Sequence, residues 1–141
     1  MNCIRWIACA GLACTMLGAD APLVPDGKYS LRITHQARLR NDENALKPIP
    51  AAQYEPARGQ TNITVQVSGH GQQVLLLPGK VSGTWHGTTN STSHFELKEG
   101  LFAGGSFAIE KTESGWVGTY TVFGSGRPII SSVRGPLVLQ P

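Results

Sequence analysis

Residues 105–122 read GSFAIEKTESGWVGTYTV, and this stretch decides the fold class. Gly105, Phe107 and Ile109 alternate with Ser106, Ala108 and Glu110. After a loop over Lys111 to Gly115, Trp116, Gly118, Tyr120 and Val122 take up the alternation again. A strand turns successive side chains to opposite faces, so a period of two predicts a pair of half-buried strands. The loop between them is far shorter than the dozen or so residues a parallel crossover needs, which makes the two strands antiparallel neighbours.

The same pattern spreads in both directions. Toward the N-terminus, Glu99-Gly100 marks a turn and Phe95 and Leu97 mark the strand before it. Val81, Gly83 and Trp85 share one face of Val81 to Gly87, with a turn predicted over Thr88 to Thr92. Pro78-Gly79 ends a short apolar strand, Gln73 to Leu77, and Gly69-His70-Gly71 turns the chain out of Asn62 to Val67. Lys28 to Thr34 opens the series with Tyr29, Leu31 and Ile33 facing inward. Toward the C-terminus, Gly124-Ser125-Gly126 turns into Pro128 to Val133, and Leu137 to Leu139 finishes the set. The expectation is an all-β domain: an antiparallel meander of about eight strands, closing as an up-and-down barrel, with a two-sheet β-sandwich as the alternative. Closure disposes of unpaired edges, and the glycines inside strands suit strong coiling.

The first residues set the compartment. Met1 to Arg5 is short and basic, Trp6 to Leu17 is apolar, and Gly18-Ala19-Asp20-Ala21 supplies small residues for cleavage. This is the build of a secretory signal peptide over 1–19, and it falls short of the about 20 apolar residues a membrane-spanning helix needs. The chain from 20 to 141 is then a single β domain that is periplasmic or secreted. Leu12-Ala13-Cys14 offers a second outcome, a lipoprotein anchored to the membrane through Cys14. All three cysteines (Cys3, Cys9 and Cys14) lie in the leader, so the domain has no disulfide and no thiolate to offer a reaction or a metal. Stability must come from one hydrophobic core, for which about 120 residues suffice.

Composition excludes further classes. The formal net charge is only +3, and Arg32, Arg38 and Arg40, the one local basic cluster, run straight into Asp42 and Glu43. A nucleic-acid binder would carry a dense basic face. No Gly-x-Ser-x-Gly elbow occurs, and no two carboxylates stand out as a glycosidase pair, so an enzyme is the least favoured class. Residues 41–60 form a long loop containing Pro48, Pro50 and Pro56. Loops of that length tend to be lids or binding segments, and Tyr54 is placed to cover an opening.

Two Trp-x-Gly-Thr patterns occur, at Trp85 to Thr88 and Trp116 to Thr119. Gly83-Thr84-Trp85 resembles the Gly-x-Trp of lipocalin- and avidin-like barrels, but it lies in mid-chain, where those families carry it on the first strand, and it assigns no family. The preferred function is a non-catalytic binding module holding a small apolar or amphipathic ligand among Tyr29, Trp85, Phe107, Trp116 and Tyr120, with Tyr54 as cover. The alternative is a protein-interaction module or inhibitor of the cell envelope. The partner expected is thus a small molecule or an envelope protein, with no cofactor and no nucleic acid, and with a membrane only through Cys14. For metal, pairing Trp85 with Phe95 puts His86 opposite His94 on the outer face with Cβ atoms about 5 Å apart, close enough to share an ion.

Overall fold

In the hairpin read from residues 105–122, Phe107 sits opposite Tyr120 and Ile109 opposite Gly118. The computed structural model describes residues 21–40, 49–59, 61–98, 105–123 and 129–141. The leader, Cys14, the Gly124-Ser125-Gly126 turn and the first part of the 41–60 loop lie outside the described residues. The strands are β1 (Gly27–Arg32), β2 (His35–Arg40), β3 (Glu55–Pro56), β4 (Asn62–Ser68) and β5 (Gln73–Leu77). They continue as β6 (Val81–Thr89), β7 (Thr92–Leu97), β8 (Gly105–Thr112), β9 (Gly115–Phe123) and β10 (Ile129–Leu139). A 3-10 turn spans Ala51–Gln53.

Among the described residues every strand pairing is antiparallel, and β4 to β10 pair in chain order. β1 pairs with β4 on one edge and with β10 on the other, through Tyr29 opposite Leu139 and Leu31 opposite Leu137. That last pairing closes an eight-stranded barrel, as the alternation predicts. The interior is solid. Leu31, Val65, Phe95, Phe107 and Ile109 are each 0% exposed, and Phe95 and Phe107 lie 6.3 Å apart between ring centroids. Fully burying an aliphatic or aromatic side chain stabilises by about 1.5–3 kcal/mol, so this column of residues supplies much of the driving force. Gly118 makes room for it: a Cβ there would stand 3.0 Å from Leu31 Cδ1 and 3.3 Å from Phe107 Cζ.

Three sequence expectations need correction. β2 was not expected, because the chain changes face before it. β1 pairs with β10 in one register and β2 pairs with β10 in a register shifted by one residue, so Ile33 and Thr34 form a bulge. Tyr29 and Leu31 point inward; beyond the bulge the parity flips and Ala37 faces the outer wall. A reading that follows one phase loses the strand there. Second, Pro128 to Val133 and Leu137 to Leu139 are one 11-residue strand, β10, running through Gly135 and Pro136. Pro136 falls where the ladder changes register, so its missing N–H breaks little pairing. Third, the turn predicted over Thr88 to Thr92 shortens to Asn90-Ser91, with Asn90 at φ 55. Asparagine tolerates that left-handed conformation better than most residues.

Candidate functional site

The two ends of the barrel differ. At the end holding the β6–β7 and β8–β9 turns, the lead-in segment 21–26 crosses the opening. Val24 is buried, and the Leu23 N–H donates to Ser93 Oγ at 3.1 Å. Thr88 Oγ1 donates to the Ala21 carbonyl at 2.8 Å and accepts from Trp85 Nε1 at 3.1 Å. A one-residue bulge between Trp85 and Gly87 lets Trp85 and Thr88 face the same way. Ser93, 0% exposed, therefore has the partners a buried hydroxyl requires. The Asp26 carboxylate accepts from the Gly71 N–H at 2.7 Å and the His70 N–H at 3.1 Å, clamping the segment to the β4–β5 turn. Tyr29 donates to the Pro25 carbonyl at 2.7 Å. Burial, helped by the negative charge of Asp26, pushes its phenol above the usual range.

At the opposite end, Ile63, Leu76, Leu77, Pro78, Gly79, Val81 and Tyr120 line an apolar mouth of about 120 Å³. Burial raises the Tyr120 phenol as well. Ligand pockets usually measure about 300–1,000 Å³, so this hollow admits one methyl-rich tip and no more.

A larger opening than this mouth lies on the outer wall. Residues 49–59 form an arm that returns along β2, with Glu55 opposite Gln36 and Pro56 opposite His35. The Ala57 N–H donates to the Thr34 carbonyl at 2.9 Å. Tyr54 lies over β10: its hydroxyl is 2.9 Å from Ser132 Oγ, which is 3.1 Å from Thr121 Oγ1. Between this arm and the wall of β9 and β10 is a cleft of about 420 Å³. Tyr54, Ala51, Val117 and Pro136 give it apolar surface; Thr34, His35, Ser114 and Arg134 give it polar groups. Arg134 is held 3.3 Å from Glu110 Oε2. The Thr34 hydroxyl donates to the Arg134 carbonyl at 3.3 Å, which leaves its oxygen to accept from His35 Nδ1 at 2.9 Å. A depression of about 470 Å³ over β1, β4, β5 and β6 is comparable in volume, but the residues lining it all belong to those strands, with no arm over it among the described residues.

The six aromatic residues singled out in the sequence do not share one cavity. Tyr29 and Phe107 are enclosed in the core. Trp85 and Trp116 pack against the core toward the lead-in end, with Lys111 Nζ 5.7 Å from the Trp116 ring centroid. Tyr120 is at the apolar mouth, and Tyr54 is outside on the arm. Thr34, His35, Ser114, Val117 and Arg134 were not foreseen; they come from separate strands and turns and meet only because the barrel closes. The expected pairing of Trp85 with Phe95 holds, while His94 pairs with Gly87 and His86 is the extra residue of the bulge. The two imidazoles are neighbours all the same, with centroids 6.1 Å apart. Burial, and then the nearby His86, hold His94 below the usual histidine range.

Comparison with known proteins finds no matching family model, no similar curated protein and no similar solved structure.

Proposed function

We propose that this protein is an exported, non-catalytic binding module for a small amphipathic ligand, held in the outer cleft beneath the Tyr54 arm. The observation that supports it is the combination of a filled barrel and a cleft of about 420 Å³ with two kinds of lining. The volume falls in the usual ligand range of about 300–1,000 Å³. Val117, Pro136 and the Tyr54 ring offer an apolar bed, and the Arg134 guanidinium and the His35 imidazole favour an acidic head group. Ser132, the buried hydroxyl on β10 that Tyr54 reaches, is committed to Tyr54 and Thr121, and among the described residues no base is hydrogen-bonded to it. That arrangement suits a structural hydroxyl and not a nucleophile. Export rests on the leader over 1–19.

Anilinonaphthalene sulfonate, an anionic and largely apolar dye, serves as the probe. The expected result is saturable fluorescence enhancement by the native protein, weakened at least about tenfold by Val117→Trp, which fills the cleft. Arg134→Ala weakens it too. Dye binding that ignores both changes would place the ligand elsewhere and overturn the reading.

A second reading, an envelope interaction module, has one observation in its favour: Val138 and Leu139 at the end of β10 are each 59% exposed. A partner captured on this surface would be released by Val138→Lys and Leu139→Lys, and dye binding in the cleft would be unchanged.

A further inference from the structure

We propose that His86 and His94 form a two-histidine site on the outer wall for a divalent transition ion of the Cu²⁺ or Zn²⁺ class, with water completing the coordination. This site is independent of the cleft and of any ligand bound there.

The strand register places the residues. Trp85 pairs with Phe95 and Gly87 with His94, so His86 is the inserted residue of a bulge. Bulges re-aim side chains, and this one sets the His86 ring beside that of His94, tilted by 49°. A metal–nitrogen bond of about 2.0–2.1 Å puts an imidazole centroid roughly 3.2 Å from the ion, so two ligating rings have centroids no more than ~6.4 Å apart. The observed 6.1 Å is inside that limit. Because His86 is exposed, its ring can turn toward a bent geometry without displacing the core.

The chemistry of the two rings agrees. Among the described residues neither imidazole is engaged in a hydrogen bond, so their ring nitrogens are open to an ion. His94 is half-buried with a second imidazole beside it, and imidazole is the commonest metal ligand among side chains. Among the described residues no set of three His, Cys, Asp or Glu side chains is gathered closely enough to hold a metal. Two protein ligands make an exchangeable site, not a closed structural one. Imidazole pairs follow the general order in which Cu²⁺ binds more tightly than Zn²⁺.

The test is titration of the purified protein with CuCl₂ and with ZnCl₂ in a non-coordinating buffer, followed by calorimetry and by the histidine ring resonances. The expected result is one equivalent bound, with substoichiometric Cu²⁺ broadening His86 and His94 before His35 and His70. His86→Ala and His94→Ala each weaken Cu²⁺ binding at least about tenfold, whereas the His35→Ala/His70→Ala double variant stays close to the parent. His86 is exposed, so its replacement keeps the result readable even if the His94 variant fails to fold. Equal broadening of all four histidines, or undiminished Cu²⁺ binding by His86→Ala, overturns the proposal.

Discussion

Single side chains in this barrel are constrained by the space they leave as much as by the space they fill. Gly83 lies inside β6, where a Cβ would come within 2.7 Å of Leu97 Cδ2 and 2.9 Å of Val74 Cγ2. Both neighbours are buried, so neither can step aside. Gly83→Ala is expected to destabilise the fold by about 1–3 kcal/mol, measured by urea unfolding, and an unchanged midpoint would show that the wall is looser than drawn. Tyr29 carries a different constraint. Its phenol is raised above 10.0 by burial and then by Asp26, so the folded protein holds the proton more tightly than the unfolded chain does. The resulting stability is fully present below about pH 10 and drains away as pH climbs past that value. Unfolding curves over the alkaline range should fall less steeply for Tyr29→Phe than for the parent; parallel curves would assign the alkaline limb to other groups. The inward placing of Tyr29, Leu31, Trp85 and Phe107 was legible from their spacing. Where each came to rest along the barrel axis was not, because alternation fixes a face and says nothing of depth.

Among the elements, hairpins were the legible part and interruptions the illegible one. Gly69-His70-Gly71 announces its turn through glycines that suit positive φ, with values of 65° at Gly69, 59° at His70 and 79° at Gly71, while Pro78-Gly79 marks a turn whose positive φ, 52°, falls on Lys80. The bulges at Ile33-Thr34 and His86 carry no comparable signature. Each moves the following residues to the opposite face, which hid β2 and displaced His86 from its expected partner. The cleft depends on the first of these bulges, since the parity change turns Ala37 outward and brings β2 under the arm. Ser132, 78 positions from Tyr54, was not legible as its hydrogen-bond partner. Tyr54→Phe deletes the bond between the two hydroxyls and is expected to cost about 1 kcal/mol. Hydrogen exchange should accelerate at the Ala57 amide, which ties the arm to Thr34, and stay unchanged at the core amides of β8. Uniform acceleration would mean that the arm and barrel open together.

At the level of the whole molecule, short connections and a period of two led to the closed sheet. The glycines inside the strands let that sheet coil tightly around a column of large side chains. The seam of the barrel lies between β1 and β10, joining Tyr29 to Leu139 across most of the chain's length. A ribosome makes β1 first and β10 last, so for nearly the whole of synthesis the opening strand has no mate on one side. The cylinder cannot shut until its final stave is delivered. Closure must therefore wait for β10, with a large loop-closure cost met in one late event, and folding is correspondingly slow for a barrel of this size. For the export proposed above, this order of manufacture would by itself supply the delay that threading through a narrow channel requires.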